Sequence, residues 1–332
     1  MNRTITLPLG AAIALVMAAP AHATLTYVKT PTGDKPQRVY VADDDGKHPH
    51  RMGNGRAPVV SPDGRWVAWI APGSKERVRM RLVDRSRKAR TVARSSSVGE
   101  LRFSPDAKKL AFVIARRLWV YDVHDRQSVK AASGNIRGFS FSPDSKSIAF
   151  GTAGHNDAYD APADLYWFDI AAKHRQRITR DRKSLNPLWG PNGIIHDRQK
   201  RRPNEAPSYN IFEIQPDGGS LRRITSLHNP PPVSGLVPLD ISASGKRMIA
   251  RLEGTDTSAG FTVNPATGKT RLLGKDLENG FVAAALSANG RTVLGQTGGV
   301  DPAHKNNVVT MPYRGGKRTV LVRRATEPDW SL

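Results

Sequence analysis

The side chains with most chemical capacity lie in one loop and one basic stretch. The loop from 151 to 164 reads GTAGHNDAYDAPAD and holds His155, Asp157, Asp160 and Asp164 around Tyr159. An imidazole among carboxylates can move protons, and clustered carboxylates can coordinate Ca²⁺. The spacing is not that of an EF-hand, so the expectation is a solvated or salt-bridged loop, with no metal and no cofactor. Downstream, Arg180, Arg182 and Lys183 fall on one connection, and Arg198, Lys200, Arg201 and Arg202 on another. Guanidinium forks bind carboxylate and phosphate bidentately. The stretch therefore reads as an anion-binding patch, partly neutralised by Asp157 and Asp160, and Asp160 completes the candidate ligand-binding set. His228 stands in the Pro-rich run HNPPP. If the protein is an enzyme, His155, Asp157 and His228 supply the acid or base.

No motif argues for catalysis. The chain has no G-x-S-x-G elbow, no H-E-x-x-H, no P-loop and no Rossmann glycine pattern. Cysteine is absent, which removes disulfides, thiolate nucleophiles and Cys-based zinc sites. The expectation is a binding protein. A hydrolase or lyase acting on an acidic sugar or lactone is the alternative.

The elements that must position these residues follow an internal repeat. Its best copies are VVSPDGRWVAWI from Val59, RFSPDAKKLAFV from Arg102 and SFSPDSKSIAFG from Ser140. Weaker copies are LWGPNGIIH from Leu188, DISASGKRMIA from Asp240 and ALSANGRTVLG from Ala285, and the chain closes on EPDWS. The marker Ser or Gly recurs at 61, 104, 142, 190, 242, 287 and 331, a period of blade size. In each unit a short apolar strand A leads into a turn. Pro62 presets φ, Asp63 can bond its own backbone and Gly64 tolerates positive φ. A nearly continuous apolar strand B follows, such as Trp66 to Ile70 or Leu110 to Val113, which is how a strand covered on both faces reads. Strand C (Leu118 to Tyr121, Leu165 to Phe168, Asn210 to Phe212) and strand D (Gln176 to Thr179, Arg223 to Thr225) complete the unit. A β-sandwich or β-helix does not explain four distinct strands at this period. The reading is an all-β fold, a seven-bladed β-propeller with six blades as the alternative, four antiparallel strands per blade. Residues near 25, 39 and 50 supply strands B, C and D of a blade whose strand A is the terminal PDWS, so the two ends close the ring without an exposed edge. Trp69, Trp119 and Trp167 then pack the core.

In such blades the B–C and D–A connections share one rim. The long connections, 151–163, 198–208, 225–237 and 297–307, are all of these two kinds. Long loops gathered on a rigid scaffold are where binding sits, so this rim is the expected site.

The first residues read as a leader. Arg3 precedes an apolar run from Leu7 to Ala19, and Ala21-His22-Ala23 has the form of a cleavage site. The expectation is a signal peptide over 1–23 and one propeller domain over 24–332, periplasmic or secreted, a monomer that does not span the membrane. The formal net charge is +22. On an exported chain this points to an envelope protein or anionic polymer as partner, and not to nucleic acid.

The units centred on Ser61-Pro62-Asp63-Gly64, Ser104-Pro105-Asp106 and Ser142-Pro143-Asp144, with the final Pro328-Asp329-Trp330-Ser331, resemble the TolB-like family of WD40-like (PD40) propellers. The motif weakens at Gly190-Pro191-Asn192-Gly193, Ser242-Ala243-Ser244-Gly245 and Ser287-Ala288-Asn289-Gly290. The resemblance spans the whole mature chain and implies an exported propeller that acts by binding. TolB itself, a member of the Tol–Pal envelope system, carries an additional N-terminal α/β domain, for which the present sequence leaves no room. The same repeat also forms the propeller of dipeptidyl-peptidase-like enzymes, where a hydrolase domain follows. None is expected here.

Overall fold

The computed structural model describes residues 24–31, 35–156, 161–200, 208–227, 233–254, 259–274, 280–287, 289–298 and 306–331. Among them there is no helix. The strands in chain order are β1 (Thr24–Lys29), β2 (Arg38–Asp43), β3 (His50–Asn54); β4 (Arg56–Val60), β5 (Trp66–Ala71), β6 (Glu76–Leu82), β7 (Arg90–Ser95); β8 (Val98–Phe103), β9 (Lys109–Ile114), β10 (Arg117–Asp122), β11 (Ser128–Ser133); β12 (Ile136–Phe141), β13 (Ser147–Thr152), β14 (Asp164–Asp169), β15 (His174–Arg177); β16 (Ser184–Gly190), β17 (Gly193–Lys200), β18 (Ser208–Ile214), β19 (Arg222–Arg223); β20 (Val233–Ile241), β21 (Met248–Gly254), β22 (Ala259–Val263), β23 (Thr270–Leu272); β24 (Phe281–Leu286), β25 (Thr292–Thr297), β26 (Asn307–Pro312), β27 (Thr319–Arg323) and β28 (Thr326–Trp330).

Successive fours form antiparallel sheets, and β28 joins β1 to β3 in a sheet ordered β28-β1-β2-β3. Strands β16 to β23 belong to one eight-stranded sheet made of two such runs, joined where β18 meets β20 in a single parallel pair, Tyr209 with Gly235. A Cβ on Gly235 would sit 2.0 Å from the Tyr209 carbonyl oxygen, so only glycine permits that junction. The terminal strands are locked together: Thr24 N–H donates to Ser331 Oγ at 2.7 Å, and Ser331 N–H to the Thr24 carbonyl at 2.9 Å. Serial four-stranded sheets packed face to face, with first and last strands sharing a sheet, form a β-propeller.

The repeat's turn has a common bonding scheme. Ser104 Oγ donates to Asp106 Oδ1 at 2.6 Å and accepts the Lys109 N–H at 2.9 Å; Ser142 does the same with Asp144 and the Ser147 N–H. Gly64 takes φ 69°, and Ala107 and Ser145 hold the same left-handed position in their copies, at 60° and 61°. Two of the expected outer strands end earlier than their sequence suggests. β15 stops at Arg177 because Ile178 and Thr179 both donate to the Leu165 carbonyl, while Thr179 Oγ1 accepts the Leu165 N–H at 2.9 Å. Thr225 plays that part for Ile211, again at 2.9 Å, so β19 ends at Arg223. In both places a hydroxyl replaces a rung of the ladder.

The core lies between sheets. Ala68, Ile70, Val78 and Met80 pack on Leu110 and Phe112 of the next sheet, and Phe139, Ile148 and Phe150 on Leu118 and Val120. Trp69 and Trp167 pack in two further such layers, their indoles donating across to the Asn54 and Pro216 carbonyls at 3.1 Å each. The innermost strands β4, β8, β12, β16, β20 and β24 each show a register shift, at Arg56/Val59, Val98/Leu101, Ile136/Phe139, Leu185/Leu188, Pro238/Asp240 and Ala283/Ala285. Such bulges re-aim side chains along the innermost strands.

Candidate functional site

Strand A begins, and strand B ends, on the rim that carries the long connections. There the two basic connections meet. Ser184 pairs with Arg198, and the Gln199 N–H donates to the Lys183 carbonyl at 2.7 Å. Arg180, Arg182, Lys183 and Lys200 are exposed. Arg198 is half-buried, ion-paired with Asp181, and its guanidinium lies 5.6 Å from the centre of the Phe212 ring. His155 is exposed in the turn after β13. Asp157, Asp160, Arg201, Arg202 and His228 lie outside the described residues.

Asp164, read from the sequence as part of the acidic loop, has a structural part. It is 5% exposed and opens β14. Its carboxylate accepts Arg177 Nη2 at 2.6 Å, Thr179 Oγ1 at 2.9 Å and the Arg182 N–H at 2.9 Å. A carboxylate leaves water only when donors replace it, and here three do. They hold Arg182 at φ 57°, so Asp164 sets the backbone from which the rim's cations project.

A second group escaped the sequence reading. Asp197 is 1% exposed in β17. Desolvation pushes its carboxyl up to about 7; Glu253 of β21 pushes the same way, while Asn186 of β16 and Arg137 of β12 oppose it. The Asn186 amide is within electrostatic reach, but neither carboxylate oxygen receives a well-formed hydrogen bond among the described residues. Glu253 is itself held by Arg251, Nε to Oε2 at 3.0 Å. Three consecutive strand runs thus converge on one buried acid. Its neighbour His196 points to the other face, 0% exposed, its ring 6.3 Å from that of Phe212. Burial pushes that imidazole down to about 3, so it is neutral at physiological pH. The available signal was the pair His-Asp inside GIIHDRQK, where a doubly covered strand should be apolar throughout.

A third set faces the axis. The residue two before the marker Ser reaches the next sheet: Asp329 Oδ2 accepts the Val60 N–H at 2.9 Å, Ser140 Oγ the Trp189 N–H at 2.7 Å and Asp240 Oδ2 the Leu286 N–H at 2.8 Å. Desolvation raises the Asp240 and Asp329 carboxyls, with Asp240 adding to Asp329 and Arg102 opposing both. Both keep some accessible surface, so water moderates the shift.

Among solved structures the chain is similar to TolB from Acinetobacter baumannii, at 17% identity over 93% of this chain and 82% of that one, with TM-score 0.57. The β-propeller domain of the Trilobed protease from Pyrococcus furiosus aligns at 11% identity over 90% and 92%, with TM-score 0.66. The chain has a TolB-like propeller fold. An oligogalacturonate lyase in complex with manganese aligns at 12% identity over 90% and 83%, with TM-score 0.60. No protein-family model and no curated sequence matches. At these identities the likeness is one of fold, and function has to come from the sites.

Within this TolB-like propeller the rim offers exposed cations beside a buried acid that can gain or lose a proton near neutrality. Among the described residues no three His, Asp or Glu side chains are grouped to hold a metal ion, and no helix is long and apolar enough to cross a membrane.

Proposed function

We propose that this chain is an exported seven-bladed propeller that works by binding, with the eight-stranded sheet counting as two blades and residues 1–23 as its leader. It takes a protein or an anionic component of the cell envelope on the rim carrying Arg180, Arg182 and Lys183. One observation carries this reading: β-pairing at Ser184 and Arg198 brings two basic connections together, and four of their cations, Lys200 included, stand exposed. Asp181 neutralises Arg198 alone, so the rest present charge to an incoming anion.

Site-specific photo-crosslinking in the cell envelope tests it. A crosslinker at position 182 should give a discrete adduct that fades at high salt. One at Lys108, exposed on the opposite rim, should give none. Equal adducts from both positions, or none from either, overturn the reading.

Asp197 favours a second reading. A buried carboxyl near pH 7 beside Arg137 suits a general base acting on an acidic sugar, and an oligogalacturonate lyase shares the fold. Incubation with polygalacturonate decides between the two. Unsaturated product that disappears in Asp197→Asn establishes the lyase, and no product leaves the binding protein.

A further inference from the structure

The densest run of positive charge lies away from that rim. Residues 75–94 read KERVRMRLVDRSRKARTVAR, nine Lys and Arg against Glu76 and Asp84. Strand periodicity sorts them. Val78 and Met80, each 0% exposed, point to one face of β6 and into the core with the next sheet. Arg77, Arg79 and Arg81 therefore share the other face, spaced about 7 Å apart along the strand. Register adds Arg94 of β7, opposite Arg77, and sets Thr91 opposite Arg79. Arg90 goes to the far side, where its guanidinium sits 4.9 Å from the Trp66 ring centre and donates to the Val123 carbonyl at 2.9 Å.

The ladder is held but not neutralised. Arg77 Nη2 donates to the Pro72 carbonyl at 2.6 Å. Arg79 donates to Thr91 Oγ1 at 3.0 Å and to the Ala89 carbonyl at 2.7 Å. Arg81 Nε donates to the Arg87 carbonyl at 3.0 Å. Carbonyls orient a guanidinium without cancelling its charge. The two nearby acids are otherwise engaged: Glu76 with Arg56 at 2.8 Å and the Val98 N–H at 2.8 Å, and Asp84 with the Ser86 N–H at 2.9 Å, its charge reaching Arg65 and Arg81 without an ion-pair contact to the ladder. Among the described residues none of the four ladder arginines lies within ion-pair distance of a carboxylate. Burial first, and then the charges of Arg77 and Arg94, hold the Arg79 guanidinium below its usual range.

Arg94 is exposed and Arg77, Arg79 and Arg81 are half-buried. The neighbouring sheet ends at β3, whose Gly53 abuts the Trp69 ring of β5 and whose Asn54 carbonyl takes the Trp69 indole N–H. β6 and β7 lie one and two strands further out, past that edge. Other strands handle arginine differently. Arg177 pairs with Asp164, Arg222 with Glu213 and Arg251 with Glu253.

We propose that the face made by Arg77, Arg79, Arg81 and Arg94 binds a linear polyanion that presents carboxylate or phosphate groups about one strand-dipeptide apart, about 7 Å. A single small anion would engage one or two forks, whereas a chain lying along β6 meets all of them and relieves their mutual repulsion. The site is on a different sheet from the rim of the proposed function and stands or falls separately.

The test uses the whole protein and two immobilised polymers, polygalacturonate and long-chain inorganic polyphosphate. The ladder variant R77Q/R79Q/R81Q/R94Q is compared with a rim variant of equal charge change, R180Q/R182Q/K183Q/K200Q. At low salt the ladder variant should lose on the order of 30-fold in affinity for at least one polymer. Its salt dependence should flatten by about three units of log K per log salt, one for most of the contacts removed. The rim variant should lose less than about 3-fold. Which polymer responds identifies the anion. Equal losses in both variants would show net charge alone at work, and an unchanged ladder variant would show arginines that merely blunt the edge strand β7; either result overturns the proposal. Should the fourfold variant fold poorly, R77K/R79K/R81K/R94K keeps the charge and loses the forks. It should bind several-fold more weakly than wild type with an unchanged melting temperature, and full wild-type affinity would count against the ladder.

Discussion

The sheets β4–β7 and β12–β15 both carry arginines on their outer two strands and treat them in opposite ways. In the second, Arg177 reaches a buried Asp164, which also gathers Thr179 and the Arg182 N–H. In the first, Arg77, Arg79 and Arg81 end on backbone carbonyls. The same side chain is scaffold in one place and free positive charge in the other. What differs is whether a neighbouring segment brings a carboxylate to it, and the cost of removing each should differ in kind.

The largest effect should come from the compensated side. Asp164→Ala leaves Thr179 Oγ1 and the Arg182 N–H without their acceptor and Arg177 without its counter-ion. It should destabilise by about 3 kcal/mol, read as a lower denaturant midpoint with unchanged m-value. A loss below about 1 kcal/mol would mean that water replaces the carboxylate and that the two regions are less distinct than their geometry indicates.

Asp197→Asn comes next and is visible through pH. The folded carboxyl titrates at about 7 and an unfolded aspartate near ~3.9. Between those values the folded state holds the proton and the unfolded state does not. This contribution to stability is full below about pH 4 and is lost as pH rises to about 7. Asn186, Arg137 and Glu253 face the group, and His196 stays neutral across the window. The Asn variant should thus gain about 1–3 kcal/mol over wild type at pH 8 and gain little at pH 5, measured by melting temperature in matched buffers. A difference independent of pH would show that Asp197 is ionised in the folded state throughout.

The smallest effect should come from the uncompensated side. Arg79→Gln relieves repulsion from Arg77 and Arg94 and gives up two half-buried hydrogen bonds from its guanidinium to neutral acceptors, so stability should stay within about 0.5 kcal/mol of wild type. Arg177→Gln should cost about 1–2 kcal/mol, because Asp164 stays buried without it. If the two substitutions cost the same at low salt, the contrast between the sheets carries no energetic meaning.

Much of the fold was legible because it rests on local chemistry. The Ser-Pro-Asp turn recurs because Ser104 and Ser142 each bind an aspartate two residues on and an N–H five residues on. The outer ends of β15 and β19 were overestimated because Thr179 and Thr225 turn their hydroxyls to the backbone, and a β-branched residue gives no warning of that. Of the candidate site, the neighbourhood of Lys183 and Arg198 follows from strand pairing, which the repeat reveals. Asp164 reads as a loop acid until Arg177 and Thr179 are seen around it. Asp197 is illegible because its burial depends on Arg137, Asn186 and Glu253, which belong to three different runs of strands.

By itself the amino-acid order determined the period, the turns and the alternation that puts Arg77, Arg79 and Arg81 on one face, because those depend on neighbours a few residues apart. Tertiary structure decided which charges are answered. Electrostatic and hydrogen-bonding energies depend on separation in space, and Asp329 meets the Val60 N–H across 269 residues of chain. Likewise β3 stops at Trp69, and the arginine face lies beyond that edge.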